Sequence, residues 1–254
     1  MREKIKLQKR SMRAYIALIL LLAGLSALNM FLPQGDVALG REQRLPLSEP
    51  LMALVYGGIM LVLYGGLGFL GLLLARRLGF PGICDADITT RQRFFIPLLW
   101  GGTIGLFFVA ADVAFAGLHA LGRLPHPPFP ASLAASAAAG IGEEVMFRLF
   151  FIPFWLWLIG SVLFKVRDKT RLFWGVSAFS ALAFALAHLP AAMILYDFAS
   201  IAQVPAALLV EIILLNGVLA LAAAYLFRAY GFLAAVGVHF WVDIVWHVGW
   251  GALG

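Results

Sequence analysis

The chain has 254 residues, of which 63% are hydrophobic and 13% charged, whereas a soluble domain carries roughly a quarter charged residues. Too little polar surface remains to coat a water-soluble globule, so a membrane is the expected solvent. A net charge of +6 could suggest nucleic acid, but the basic residues flank long apolar runs and do not interleave with aromatics along a groove.

In chain order, a basic stretch, Arg2–Arg13, precedes an apolar run at Ala14–Leu32. The start resembles a signal peptide, yet no clear small-x-small cleavage site follows before Pro33 and further spans come later, which predicts an uncleaved anchor. Six further runs approach or exceed the roughly 20 residues that cross a hydrocarbon core. They are Leu51–Ala75, Phe94–Leu118, Ala131–Phe164, Leu172–Leu189, Val204–Phe227 and Phe232–Leu253. The expected fold is an all-α polytopic bundle of about seven spans (six to eight). The clusters Arg76/Arg77 with Arg91/Arg93, and Lys165–Arg171, fall on the side of the N-terminus, as does Arg228. The positive-inside rule then predicts a cytoplasmic N-terminus and a C-terminus outside. Loops such as Pro33–Pro50 and His119–Pro130 leave no room for a soluble domain, so 1–254 reads as one integral membrane domain. A single cysteine, Cys84, allows neither an internal disulfide nor a cysteine metal cage.

Gly57, Gly58, Gly65, Gly66, Gly68 and Gly71 make the second span a predicted packing face. The fourth run, about 34 residues, would extend about 51 Å against a core of about 30 Å, and Pro153 is expected to kink or interrupt it. Ala191–Gln203 is mildly amphipathic and suggests an interfacial piece.

Ionisable groups inside spans cost a few kcal/mol each and need a reason to be there. They are Asp112, Glu143, Glu144, Arg148, His188, Glu211 and Asp243, with His239 and His247. Glu144 and Arg148 stand at i, i+4 and can pair; Glu143, turned about 100° away, has no partner at helical spacing. His188 ends a span, and Phe184 one turn earlier reads as ordinary apolar packing. His239 and Asp243 share a helix face, too deep to snorkel, with Trp246 and His247 near that stripe. Asp112 and Glu211 suggest no chemistry and are expected near helix ends or bonded to neighbouring helices. Carboxylates and imidazoles from three helices are the parts amide hydrolysis needs: a base for water and donors for an oxyanion.

The ordered series Glu143-Glu144-x-x-x-Arg148, Phe184-x-x-x-His188, His239-x-x-x-Asp243 resembles the CAAX prenyl endopeptidase and bacteriocin-processing (CPBP, Abi) family of intramembrane glutamic proteases. The resemblance covers roughly Phe94–Leu253, leaving residues 1–93 without motifs and 94–254 as the catalytic core. It implies a metal-free, cofactor-free peptidase acting on a membrane-associated protein or peptide. Glu143 with His188 would activate water, His239 and Asp243 would line the oxyanion side, and Glu144 and Arg148 would brace the site. The family commonly has Asn where this chain has Asp243, so Asp243 must be protonated there or act by orienting His239. Counting residues along the spans places the site in the outer half of the bilayer, with His188 shallowest.

Three alternatives stay open. Glu143, His188 and His239 could hold zinc in a two-histidine, one-carboxylate site, although no H-E-x-x-H helix is present. A proton-coupled transporter would also use intramembrane acids and histidines, and an immunity protein could keep the fold without turnover. The expected setting is a bacterial or archaeal cell membrane, with the lipid bilayer and a peptide substrate as partners and no nucleic acid.

Overall fold

The computed structural model describes residues 2–38 and 47–253, and the described residues form helices and turns without a strand. Seven helices are long and apolar enough to cross a membrane. They are α1 (Arg2–Leu28), α2 (Glu49–Leu78), α3 (Arg91–Phe115), α4 (Ala131–Leu163), α5 (Lys169–Leu195), α6 (Ala206–Tyr230) and α7 (Phe232–Trp250). The chain is an integral membrane protein with an all-helical fold. Of the Pro33–Pro50 loop, residues 39–46 lie outside the described part.

The seven expected runs each sit in one helix, with boundaries that shift for local reasons. α1 begins twelve residues before Ala14, because the basic stretch contains good helix formers and no Gly or Pro. Asp168 starts α5, its Oδ1 accepting from the Thr170 and Arg171 amides at 3.1 and 3.0 Å. α5 breaks at His188, where Pro190 opens a short second segment, Leu189–Leu195. The Ala191–Gln203 piece therefore divides between the end of α5, a turn, and a 3₁₀ turn at Ile201–Gln203. Pro153 does not interrupt α4. The helix runs on through it, flanked by π-helical stretches at Val145–Phe151 and Leu158–Leu163; the first widens the turn around Leu149, whose carbonyl the proline ring would meet.

Helix α7 is the hub, packed by α3, α4 and α6. Close approach depends on glycine: a Cβ at Gly101 would come 2.7 Å from the Val238 carbonyl oxygen, and one at Gly105 2.6 Å from Val245 Cβ. The glycine face of α2 is real but narrower than expected. At Gly68 a Cβ would meet the Tyr15 hydroxyl at 2.6 Å, and at Gly71 it would strike the Leu149 carbonyl. Gly57 and Gly65 contact α1 more loosely, whereas Gly58 and Gly66 have nothing within 4 Å. One core of Tyr15, Leu22, Leu72, Val145, Leu149, Leu226 and Val238 joins α1, α2, α4, α6 and α7. A second, including Phe108, Phe184, Leu215, Leu219, Val242 and Trp246, packs against the polar residues described next.

Candidate active site

Glu144, on α4, is fully buried, and its Oε1 lies 3.1 Å from Arg148 Nη1 and 2.8 Å from His239 Nδ1 on α7. Because a carboxylate can only accept, His239 Nδ1–H donates to it, which leaves Nε2 facing the other way. Arg148 and His239 are almost sealed, and the Arg148 guanidinium lies 4.7 Å over the Phe184 ring. A carboxylate serving a guanidinium and an imidazole together is a rigid brace in a medium without water.

One residue earlier, Glu143 points into a different space. Its side chain is 33% exposed, and its Oε2 stands 3.6 Å from His239 Nε2 and 3.9 Å from His188 Nε2. Those separations are too long for direct hydrogen bonds and are of the size that a water bridges. His188 donates Nδ1–H to the Phe184 carbonyl at 2.8 Å, so its Nε2, turned toward Glu143, is left as an acceptor in the neutral ring. The break in α5 at His188 is what lets this ring swing toward α4. Asp243 Oδ2 lies 3.6 Å from His239 Nε2, one turn along α7 and just before the π-helical stretch Ile244–Trp250.

The structure thus brings all six residues of the motif series, Glu143, Glu144, Arg148, His188, His239 and Asp243, into one cluster. Phe184 does more than fill space. Fully buried, it sets its ring edge-on to His188 and His239, at 4.8 and 6.0 Å between centroids, beneath Arg148. Among the described residues, no three His, Cys, Asp or Glu side chains converge as a group able to hold a metal ion.

Glu143, His188, His239, Asp243 and His247 line a cavity of about 660 Å³, whose remaining walls are largely apolar. Leu124 and Pro125 from the loop after α3, Tyr196 after α5, and Val37 after α1 also border it. All of these loops belong to the end of the bundle opposite the basic clusters.

Asp112 and Glu211 sit apart from the cluster, near helix ends. Asp112 is sealed, accepting from the Leu124 amide and the Trp250 indole at 2.9 Å each, so it pins the loop after α3 to the end of α7. Glu211 lies 3.2 Å from His119 Nε2, both almost fully buried. His126 Nδ1 meets His247 Nδ1 at 3.0 Å and sets its ring edge-on to Trp246. Burial lowers the His126 pKa below the usual histidine range, against the opposing pull of Asp112. Neither the contact of His126 with His247 nor the place of Leu124 in the cavity wall could be foreseen, since a polar loop carries no helical period to reveal what it covers.

Residues 125–245 match the model of the Rce1-like family, type II CAAX prenyl endopeptidase. Just under half of the chain is thus similar to the Rce1-like family. The match is narrower than the Phe94–Leu253 extent of the resemblance and runs from the loop before α4 to the early part of the last π-helical stretch, so it contains every residue of the cluster. The likeness points to a CAAX-type protease, and so to a hydrolase. No curated protein and no solved structure matches the chain.

Proposed function

We propose that this protein is an endopeptidase that cleaves a membrane-associated protein or peptide with a water activated by Glu143 and His188. The observation that carries the reading is the pair of gaps around Glu143 Oε2, 3.6 and 3.9 Å, at the edge of a cavity large enough for several residues of substrate.

The chemistry follows from the orientation of each group. Water between Glu143 and His188 Nε2 gives its proton to the carboxylate as its oxygen attacks the scissile carbonyl. His239 is fixed by Glu144, and as imidazolium it donates from Nε2 to the developing oxyanion, where a preorganised donor acts best. Asp243 helps only in the protonated state or by orienting His239, since an anion there would oppose the charge. Collapse of the tetrahedral intermediate breaks the C–N bond, and Glu143 returns its proton to the leaving amine. Glu144 and Arg148 touch no reacting atom in this scheme and act by positioning.

The cavity borders the loops at the end opposite the basic clusters. With those clusters in the cytoplasm, substrate reaches the site from the extracytoplasmic side. The decisive experiment incubates wild type and Glu143→Gln, in micelles or liposomes, with candidate membrane peptides, with and without a chelator. Cleavage by wild type that survives the chelator and disappears in Glu143→Gln is expected. Undiminished cleavage by Glu143→Gln overturns the mechanism, and chelator inhibition reversed by zinc favours a metalloprotease.

A further inference from the structure

A second cavity, of about 210 Å³, lies at the opposite end of the bundle from the proteolytic cluster. It sits where α2, α4 and α6 end and α5 begins. Gly79 closes α2 in the left-handed conformation, φ +82°, and returns Phe80 into the cavity wall, where its ring stacks on Phe227 at 4.9 Å. Leu78, Leu156, Leu172 and Phe173 complete an apolar floor. The rim is polar and cationic: Lys169, Arg228 and the Ser161 hydroxyl.

The two cations are not consumed by the fold. Among the described residues, neither Lys169 nor Arg228 has an ion-pair partner. The adjacent acid, Asp168, is taken by Arg171 at 3.1 Å and by its capping role on α5. Arg228 is held in place without a counter-charge. Its Nη2 donates to the Thr170 hydroxyl at 2.9 Å and its guanidinium lies 4.7 Å over the Phe173 ring, which leaves its other N–H donors available. Basic residues also outnumber acidic ones at this end. Of the nineteen basic residues only Arg41, Arg44, Arg123 and Arg148 fall elsewhere in the chain, while Glu3, Asp85, Asp87 and Asp168 are the acids of this end.

We propose that this cavity binds the headgroup of an anionic phospholipid, with the phosphodiester between Lys169 and Arg228 and the first acyl carbons over Phe80 and Phe173. Positive-inside topology accounts for the general excess of basic residues. It does not account for two unpaired cations placed on the rim of an apolar hollow between helix ends, the arrangement that suits a lipid phosphate with a tail below it. A free phosphate would find the cations but would leave the apolar floor unused, so the lipid is the better fit.

The test uses the full chain extracted in mixed micelles of phosphatidylglycerol and phosphatidylcholine, with retained lipid counted by native mass spectrometry. Wild type should retain phosphatidylglycerol in preference to phosphatidylcholine. Lys169→Gln with Arg228→Gln should lower that retention about 25-fold, whereas Lys165→Gln with Arg167→Gln, removing the same charge from the neighbouring loop, should change it little. Should the double variant fail to fold, Lys169→Gln alone alters an exposed, unpaired side chain and should lower retention about fivefold. Equal retention of the two lipids by wild type, unchanged retention in the Lys169 variants, or equal loss in the loop variant overturns the proposal. Displacement of the retained lipid by inorganic phosphate at millimolar concentration would also overturn it, by showing a site for free anions.

Discussion

Two sets of polar groups lie toward the same end of this bundle and are arranged by opposite rules. Around Asp112 and Glu211, donors and acceptors touch: 2.9 Å to the Leu124 amide and the Trp250 indole, 3.2 Å from Glu211 to His119. Around Glu143 the polar atoms stop at 3.6 and 3.9 Å and border a cavity. Groups that satisfy each other directly are spent on structure; groups held slightly apart leave room for a third molecule. Glu144 belongs to the first kind although it is the immediate neighbour of Glu143, because its Oε1 is in direct contact with both Arg148 and His239. Adjacency in sequence therefore says little about role. In a helix, one residue of offset exchanges a sealed environment for an accessible one.

Substitutions in each set should separate the two roles. The largest expected effect is on cleavage in Glu143→Gln, a loss of about 10²–10⁴-fold, with thermal stability in detergent close to wild type. Next comes Glu144→Ala, which strands a buried guanidinium and removes the acceptor that orients His239. It should cost about 3–5 kcal/mol of stability, read from thermal or denaturant-induced unfolding in micelles. If Glu144→Ala proved as stable as wild type while Glu143→Gln unfolded, the two roles would have to be exchanged.

Asp112→Ala should cost about 1–3 kcal/mol, since it leaves the Leu124 amide and the Trp250 indole unpaired. Its effect on turnover should be far smaller than that of Glu143→Gln, a difference that parallel cleavage assays would show. The smallest effect concerns pH. Contact between His126 Nδ1 and His247 Nδ1 requires one ring to donate and the other to accept, and burial holds the His126 pKa below its usual value. The unfolded loop binds a proton more readily than the packed one, so this contribution is complete above the unfolded value of about 6.5 and is lost as pH falls below it. Amide hydrogen exchange in residues 119–130, corrected for the intrinsic pH dependence, should accelerate between pH 7.5 and 5. Equal protection at both values would show that the histidine contact does not hold the loop.

Much of the molecule can be read without coordinates because a membrane constrains it so tightly. Apolar runs of sufficient length must be helices when no water is present to satisfy a backbone, and all seven helices lie where the runs are. The Glu144–Arg148 pair follows from a spacing of four, and its consequence, a Glu143 left free of it, follows from the angle between neighbouring residues. Boundaries moved where local rules compete with hydropathy: basic residues extend α1, the Asp168 cap advances α5, and π-helical turns carry α4 past Pro153.

Repeat and solvent thus set the spans, the short-range pairs and the ordered motifs within residues 125–245, the segment similar to the Rce1-like family. Helix packing alone brings Glu144 to His239, ninety-five residues away, sets Phe184 among His188, His239 and Arg148, and lets Asp112 fasten a loop beside the cavity. Those contacts depend on how near α7 comes to α3 and α4, and thus on bare glycine backbone at Gly101 and Gly105, and at Gly140, where a Cβ would come 3.3 Å from the Phe240 amide nitrogen. Helix crossing distance and rotation emerge from many side chains packing at once and have no period along the chain.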